Sequence, residues 1–216
     1  MSAAYHPPLG PTERLWTDAS LLVAVKPAGL LSVPGKTEAL ADCLLARLRG
    51  EDPDVRLVHR LDRDTSGVMV FARSAHAQRH LGLQFERRHL EKRYVARVAG
   101  HPGADAGQID LPLTADWPNR PRQMVCHANG RPARTRWRVL SRDQDGSARL
   151  ALEPETGRSH QLRVHLAEIG HPILGDPLYG PAEDAKARRL MLHAECLRLR
   201  HPDGGAWVTF ESAAPF

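Results

Sequence analysis

The sequence predicts an α+β fold with a mixed, largely antiparallel central sheet and flanking helices. Two observations predict it. Short apolar runs with strand character are interspersed with helical segments, and turn sequences such as Asp145-Gly146 separate several of those runs, as in hairpins. The order of the segments also lacks the regular βαβ alternation that a doubly wound parallel sheet requires.

The first half of the chain contains four predicted strands and two predicted helices. Residues 1–13 are expected to form a flexible N-terminal arm. Apolar spacing predicts a helix over Glu38–Arg49, and Ser74 is placed to cap a second helix that runs to about Arg88. The predicted strands are Leu21–Val25, Val55–Val58, Gly67–Ala72 and Lys92–Val98.

The second half begins with residues 101–132, which are rich in Pro, Gly and Asn and are expected to form hairpins and loops. Leu162, Leu166 and Ile169 have helical spacing and Gly170 follows them, so a helix is predicted over Ser159–Ile169. The remaining predicted strands are Ala133–Leu140, Ala148–Leu152, Arg198–His201 and Trp207–Phe210.

Composition indicates a globular chain with an excess of arginine. Its 216 residues are 42% apolar and suit one sizeable domain. The formal charge is +5, and nearly all the positive charge is arginine. Residues 120–142 hold seven arginines and no carboxylate, which favours binding of a polyanion; a general compositional bias toward arginine is the alternative.

Several classes of site and location are not expected. The three cysteines lack zinc-ligand spacing and are interpreted as reduced thiols. No HExxH pattern occurs, and no apolar run has the length of a membrane span or a leader. We therefore expect no metal, no membrane association and a cytoplasmic location.

The loop between two predicted strands is the richest in candidate chemistry. Residues 59–64 hold one histidine, two arginines and two aspartates. A carboxylate beside guanidinium groups stays ionised at neutral pH, which suits a nucleophile or a base and not a general acid. A solvated turn whose charges pair with each other is the alternative.

Two further positions are notable. Arg163 lies near the start of a predicted helix, where the helix dipole disfavours a cation, so a partner anion is expected, either a protein carboxylate or a phosphate. A surface arginine without a role is the alternative. Lys92 and Tyr94 share one face of a predicted strand. A tyrosine there either packs in the core or stacks on a base beside a basic cleft.

Several motifs in this order resemble those of the RluA-type RNA pseudouridine synthases. The two most specific are HRLDRDTSG at 59–67 and the GRSHQLRVH core of residues 156–180. The others are VKPAGLLSVPG at 25–35, EKRYVARVAG at 91–100 and LHAECL at 192–197, so that the resemblance covers roughly residues 20–212. Within the family, residues 116–137 most resemble the dual-specificity branch, which acts on rRNA and tRNA.

The resemblance implies a pseudouridine synthase fold with a catalytic cleft, formed by residues 14–216, and no S4 domain. It implies that Asp62 is the catalytic carboxylate, that Tyr94 lies against the target base, and that Arg163 pairs with the catalytic carboxylate. Substrate-binding roles follow for His59, Arg60, Arg158 and Leu162, with Arg60 filling the gap left by the flipped nucleotide and Leu162 helping to wall the pocket.

The chemistry implied by the family is the isomerisation of uridine to pseudouridine in structured RNA. The N1–C1′ bond breaks, the uracil turns, and C5 joins C1′, so no cofactor or metal is expected. The target base must leave its stack. Three steps are compatible with an ionised Asp62, namely attack at C1′, addition to the base at C6 or abstraction of a ribose proton. The expected partners are large-subunit rRNA and a tRNA anticodon stem-loop, bound by a monomer.

Two other functions are alternatives. A glycosidase or nucleoside hydrolase also acts at C1′, but needs a second carboxylate as its acid, and Asp64 on an arginine-rich loop suits that role poorly. Free uracil among the products would indicate it. A non-catalytic RNA-binding module would expose aromatic side chains, and aromatic residues are 5% of this chain. Uridine left unchanged after incubation would indicate it.

Overall fold

The computed structural model describes residues 5–180 and 187–216. These residues form twelve strands, three α-helices and one turn of 3-10 helix at Glu38–Leu40. The strands are β1 Glu13–Thr17, β2 Leu21–Lys26, β3 Arg56–Leu57, β4 Ser66–Ala72, β5 Glu91–Ala99, β6 Ala106–Asp110, β7 Leu113–Ala115, β8 Gln123–Val125, β9 Arg134–Arg142, β10 Ser147–Pro154, β11 Leu192–Arg200 and β12 Trp207–Glu211. The helices are α1 Leu44–Glu51, α2 Ala75–Arg87 and α3 Gln161–Glu168.

The chain divides into two compact units. The first holds the described residues up to 92 together with 194–215, and the second holds residues 93–193, without the undescribed ones, together with Phe216. Antiparallel pairing dominates in both. The prediction of an α+β fold built on a largely antiparallel sheet is therefore confirmed.

In the first unit the strand order is β1-β2-β4-β11, with β3 added to β4 and β12 added to β11. All seven residues of β4 are buried. Val68 and Val70 alternate along β4 and pack with Val23 of β2 and Leu81 of α2 in one apolar cluster. The strand that follows the Asp62 loop therefore has a fixed position in a closed core.

Helix α2 agrees with its prediction. The Ser74 hydroxyl accepts a hydrogen bond from the Ala77 N–H at 3.1 Å and caps the helix, which ends at Arg88 in the left-handed region with φ of 60°.

The predicted helix over Glu38–Arg49 was wrong in its first half. The Leu40 carbonyl accepts a hydrogen bond from the Gly35 N–H, and the Leu44 N–H donates to Leu31, so these groups are not used within a helix. Helix α1 begins only at Leu44, capped by the Cys43 thiol, which accepts from the Ala46 N–H. The tertiary hydrogen bonds of this loop override its helical spacing.

The second unit has the strand order β5-β10-β9-β6 and a separate two-stranded sheet of β7 and β8. Its largest apolar cluster includes Val98, Leu150 and Leu152 from the sheet and Leu162 and Leu166 from α3. Within 101–132 the structure has the β7–β8 hairpin, as expected, whereas β6 pairs with β9 beyond this range. The β9–β10 pair surrounds the predicted Asp145-Gly146 turn.

Two element boundaries differ from the prediction, and one strand was not predicted. Helix α3 begins two residues late because His160 is in the left-handed region with φ of 53°. β1 was not predicted, since its five residues are mostly exposed and lack an apolar pattern. β11 begins at Leu192, well before the predicted Arg198.

Of the predicted N-terminal arm, residues 1–4 lie outside the described residues. Within the rest of it, the Tyr5 hydroxyl donates to the Asp42 carbonyl and accepts from the Leu31 N–H, and the Pro8 carbonyl accepts from Arg47. Among the residues that the structure describes, no helix combines the length and apolarity that crossing a membrane requires.

Candidate active site

The loop between β3 and β4 carries Asp62 on a tight turn. The Thr65 N–H donates to the Asp62 carbonyl at 3.2 Å, so that Asp62, Arg63, Asp64 and Thr65 form a β-turn. Asp62 is partly buried, whereas Arg63 is exposed and forms an ion pair with Asp64 at 2.8 Å. The two aspartates of the loop thus have different surroundings, and Asp64 is occupied by its neighbour.

Lys26 anchors this loop by its main chain. Its side chain is fully buried, and its ammonium donates to three backbone carbonyls, those of Pro27, Leu30 and Arg63, at 2.9, 2.6 and 2.8 Å. The Gly29 N–H also donates to the Arg63 carbonyl. The residue after Asp62 is therefore tied to the segment that follows β2.

Ser32 anchors the residue on the other side of Asp62. Its hydroxyl donates to the Leu61 carbonyl at 2.7 Å and accepts from the Leu61 N–H at 3.1 Å. Ser32 is 2% exposed, so these bonds are shielded from water. Roles for Lys26 and Ser32 were missed from sequence, although both lie in the segment VKPAGLLSVPG that carries part of the family resemblance.

His59 is held inside the first unit. Its Nε2 accepts a hydrogen bond from the Val70 N–H at 3.1 Å, which places the ring proton on Nδ1. The ring stacks on Phe85 with centroids 4.4 Å apart. Burial, with a smaller contribution from the charge of Lys92, lowers the pKa of His59 to about 3. A neutral His59 therefore ties the start of the loop to β4, while Arg60 beside it is exposed.

Gly67 closes the loop where a side chain has no room. Its φ is +124°, and a Cβ there would lie 2.3 Å from the carbonyl oxygen of Ala194 and 2.5 Å from its nitrogen. Only glycine permits this approach of β4 to the start of β11.

In the second unit, Arg163 of α3 forms a buried pair with Asp176. Its Nε and one Nη donate to the two carboxylate oxygens at 2.7 and 2.6 Å, and the two side chains are 2% and 0% exposed. The partner anion expected for Arg163 is thus present as a protein carboxylate. Asp176 was not identified from sequence, since it lies 13 residues away in an irregular segment. The predicted pairing of Arg163 with Asp62 stays a prediction.

Gln161 fixes the start of α3. Its side-chain oxygen accepts from the Thr156 hydroxyl and the Arg158 N–H, and its nitrogen donates to the Arg134 carbonyl and the Thr135 hydroxyl. All four contacts are within 3.0 Å, so the first turn of α3 is held against β9 by a satisfied polar network.

The remaining predicted site residues of the second unit have mixed surroundings. Leu162 is 7% exposed and belongs to the apolar cluster of the sheet. Tyr94 of β5 is partly buried against that same cluster, opposite Leu152. The Arg158 Nε donates to the Pro132 carbonyl at 3.2 Å. Their roles toward RNA stay predictions.

Carboxylates that are distant in sequence neutralise part of the positive charge of residues 120–142. Three arginines of this run form ion pairs with carboxylates of β6, β10 and adjoining loops; these paired arginines are Arg134, Arg136 and Arg142. The sequence run lacks acids, but neighbouring strands supply them across the sheet. Within the described part of the chain no ion pair is found for the exposed Arg120, Arg122 and Arg131, here called the hairpin arginines because they lie on or beside the β7–β8 hairpin.

Aromatic rings accompany two of the hairpin arginines. The guanidinium of Arg120 lies 3.7 Å from the ring centroid of Trp117, which is 67% exposed, and that of Arg122 lies 5.2 Å from the ring of Tyr179. In residues 5–180 and 187–216, no cluster of three or more His, Cys, Asp or Glu side chains is arranged to hold a metal ion.

An α+β fold of antiparallel sheets, with an aspartate on an anchored loop and a buried arginine in a second unit, agrees with the class indicated by the motifs. The family model "RNA pseudouridylate synthase" matches residues 20–168. The chain belongs to this family, and it is an enzyme that isomerises uridine to pseudouridine in RNA.

Similar proteins agree with that assignment. The dual-specificity RNA pseudouridine synthase RluA of Escherichia coli is 49% identical over 98% of this chain and 98% of its own length. The protein of the same name from Yersinia pestis is 50% identical over 94% and 98%. Human RNA pseudouridylate synthase domain containing 1 has a solved structure with a TM-score of 0.81 at 28% identity, covering 98% of this chain and 87% of that one.

Proposed function

We propose that this enzyme isomerises specific uridines in a tRNA anticodon stem-loop and in large-subunit rRNA, with Asp62 as its essential carboxylate. The dual specificity named for relatives that are about half identical over nearly their whole length supports the choice of two RNA classes. The enzyme acts as a monomer in the cytoplasm, and residues 14–216 form its catalytic domain.

The observation that carries the role of Asp62 is the anchoring of its loop. The residues on both sides of it, Leu61 and Arg63, are held through their main chains by Ser32 and Lys26. A carboxylate that must meet one atom of a flipped nucleoside benefits from such a fixed backbone, because its reactive geometry does not have to be assembled during the reaction. A merely solvated turn needs no buried lysine beneath it.

The remaining residues act around the flipped base. Tyr94 lies against the uracil and Leu162 walls the pocket. Arg163 pairs with the catalytic carboxylate and orients it, and Arg60 fills the gap that the flipped nucleotide leaves. His59 supports the loop that presents Arg60 and Asp62, and Arg158 contacts the RNA backbone near α3.

Substitution of Asp62 by Asn tests this proposal, with Asp64→Asn as the matched control in the same turn. The assay is release of tritium from RNA labelled at uridine C5, because the new bond to C1′ displaces that hydrogen. We expect no turnover for Asp62→Asn, near wild-type turnover for Asp64→Asn, and RNA affinity within about twofold for both, since phosphate contacts dominate binding. Pseudouridine formation by Asp62→Asn would contradict the assignment.

The targets are tested separately by mapping pseudouridines in RNA from cells that lack this gene. We expect sites to disappear from one tRNA anticodon stem-loop and from large-subunit rRNA, and to return when the wild-type chain is supplied. Loss from only one RNA class would contradict the dual specificity and leave the role of Asp62 untouched.

A further inference from the structure

Arg163 and Asp176 form a bidentate ion pair in the interior of the second unit. Both carboxylate oxygens accept from one guanidinium edge, at 2.7 and 2.6 Å, with almost no exposure of either side chain. Buried pairs of this kind are often no more stabilising than apolar residues of the same volume, because both charges lose their hydration. What such a pair provides, and apolar residues of the same volume do not, is a fixed relative orientation of two charged side chains.

Asp176 is itself immobilised by its own turn. Its Oδ1 accepts from the N–H groups of Leu178 and Tyr179 at 2.9 and 3.1 Å. Its backbone N–H donates to Ile173, and its carbonyl accepts from Gly180. The carboxylate therefore cannot follow Arg163 if the arginine moves, and instead sets where the guanidinium lies.

Tyr179 bounds the pair on a second side. Its ring centroid lies 5.2 Å from the guanidinium carbon of Arg163. Its hydroxyl accepts from the Gln123 N–H at 2.7 Å and is hydrogen-bonded to the His160 ring at 2.8 Å. The ring is thus fixed to both the β7–β8 hairpin and the start of α3.

We infer that Asp176 is a positioning residue for the isomerisation, which holds the guanidinium of Arg163 in one plane so that its other donors have a defined direction. A guanidinium has five N–H donors, and the edge bound to Asp176 uses two of them. This inference rests on the proposed role of Arg163 at the catalytic carboxylate. Asp176 acts on the reaction through Arg163 and does not contact the reacting atoms.

The first test is Asp176→Glu, which keeps the charge but moves the carboxylate by one methylene. We expect the variant to fold and its RNA Kd to stay within about twofold, while kcat falls about tenfold or more, since electrostatic stabilisation depends on fixed donor geometry. Asp110→Glu is the matched control, because Asp110 pairs with the exposed Arg134. Its kcat and Kd are expected to equal those of the wild type.

The second test separates positioning from a general structural role. In an Arg163→Met background, Asp176→Asn should cause no further loss of turnover, because its effect passes through the arginine that is already missing. Both variants are assayed at a temperature at which circular dichroism shows them folded. If Asp176→Glu does not fold, this double-variant comparison decides by itself.

The outcomes distinguish the inference from the function on which it rests. Wild-type turnover in Arg163→Met would remove the proposed role of Arg163. A strongly reduced but measurable turnover in Arg163→Met beside a fully active Asp176→Glu would overturn the inference alone. A further drop in turnover when Asp176→Asn is added to Arg163→Met would also overturn it, because Asp176 would then act by another route.

Discussion

Replacing Lys26 with Met removes the ammonium that ties the Asp62 loop to the segment after β2. Each hydrogen bond from a charged donor contributes about 1.5–3 kcal/mol. Three carbonyls, those of Pro27, Leu30 and Arg63, lose this partner. Removing a buried charge also relieves a desolvation cost of several kcal/mol, so the net loss of unfolding free energy is expected at about 2–4 kcal/mol.

The assay is thermal unfolding followed by circular dichroism, with turnover measured well below the transition. For a chain of this length, 1 kcal/mol corresponds to about 2–4 °C, so the midpoint should fall by roughly 4–16 °C. Turnover should fall further than RNA affinity, because the loop that carries Asp62 loses its support. The exposed Lys36 provides the control, and Lys36→Met should change the unfolding free energy by no more than about 0.5 kcal/mol. A Lys26→Met midpoint within 1 °C or so of wild type would refute the anchoring role.

Three further predictions concern pH, salt and backbone geometry. The pKa of His59 is lowered to about 3 in the folded protein, whereas the ordinary histidine pKa of about 6.5 applies in the unfolded chain. Between these pH values the unfolded chain binds a proton that the folded protein does not, so the free energy of unfolding should fall as the pH decreases from about 6.5 to about 3. His59→Gln should make this slope shallower by at most about 1.4 kcal/mol per pH unit, and equal slopes in urea titrations would contradict it. Changing the three hairpin arginines together to Gln should reduce the steepness of log K for RNA binding against log salt by about 2. The same change of the three ion-paired arginines, Arg134, Arg136 and Arg142, should reduce it much less, and equal reductions would show that ion pairing does not matter. Gly67→Ala should destabilise by about 3 kcal/mol or more through strain and overlap with Ala194, whereas Gly82→Ala in α2, which has open space, should stabilise by about 0.5–1 kcal/mol; similar midpoints for the two would contradict this.

The elements predicted best from sequence are those whose signals are local. Ser74 marks the start of α2, and the alternation and turn at Asp145-Gly146 identify the β9–β10 pair. The helix predicted from Glu38 failed because the Leu40 carbonyl bonds to Gly35, a contact that no periodicity records. Long-range hydrogen bonding of this kind decides boundaries that propensity alone does not.

The same distinction holds for the candidate site. The loop of Asp62 is apparent from its density of charged residues and from the family motif. The residues that hold it, Lys26 and Ser32, are about 30 positions away and act on backbone atoms, so nothing near Asp62 in the sequence indicates them. Arg163 was expected to need an anion, but only the fold brings Asp176 to it.

Lys26 and Ser32 hold the Asp62 loop through main-chain carbonyl and amide groups. Lys26 contacts the main chain of residue 63, and Ser32 contacts the main chain of residue 61, so neither depends on the side chain at those positions. The side chain of Arg63 is exposed, that of Asp64 is partly buried, and the two form an ion pair. Substitutions at these two positions therefore leave both main-chain anchors of the Asp62 loop in place.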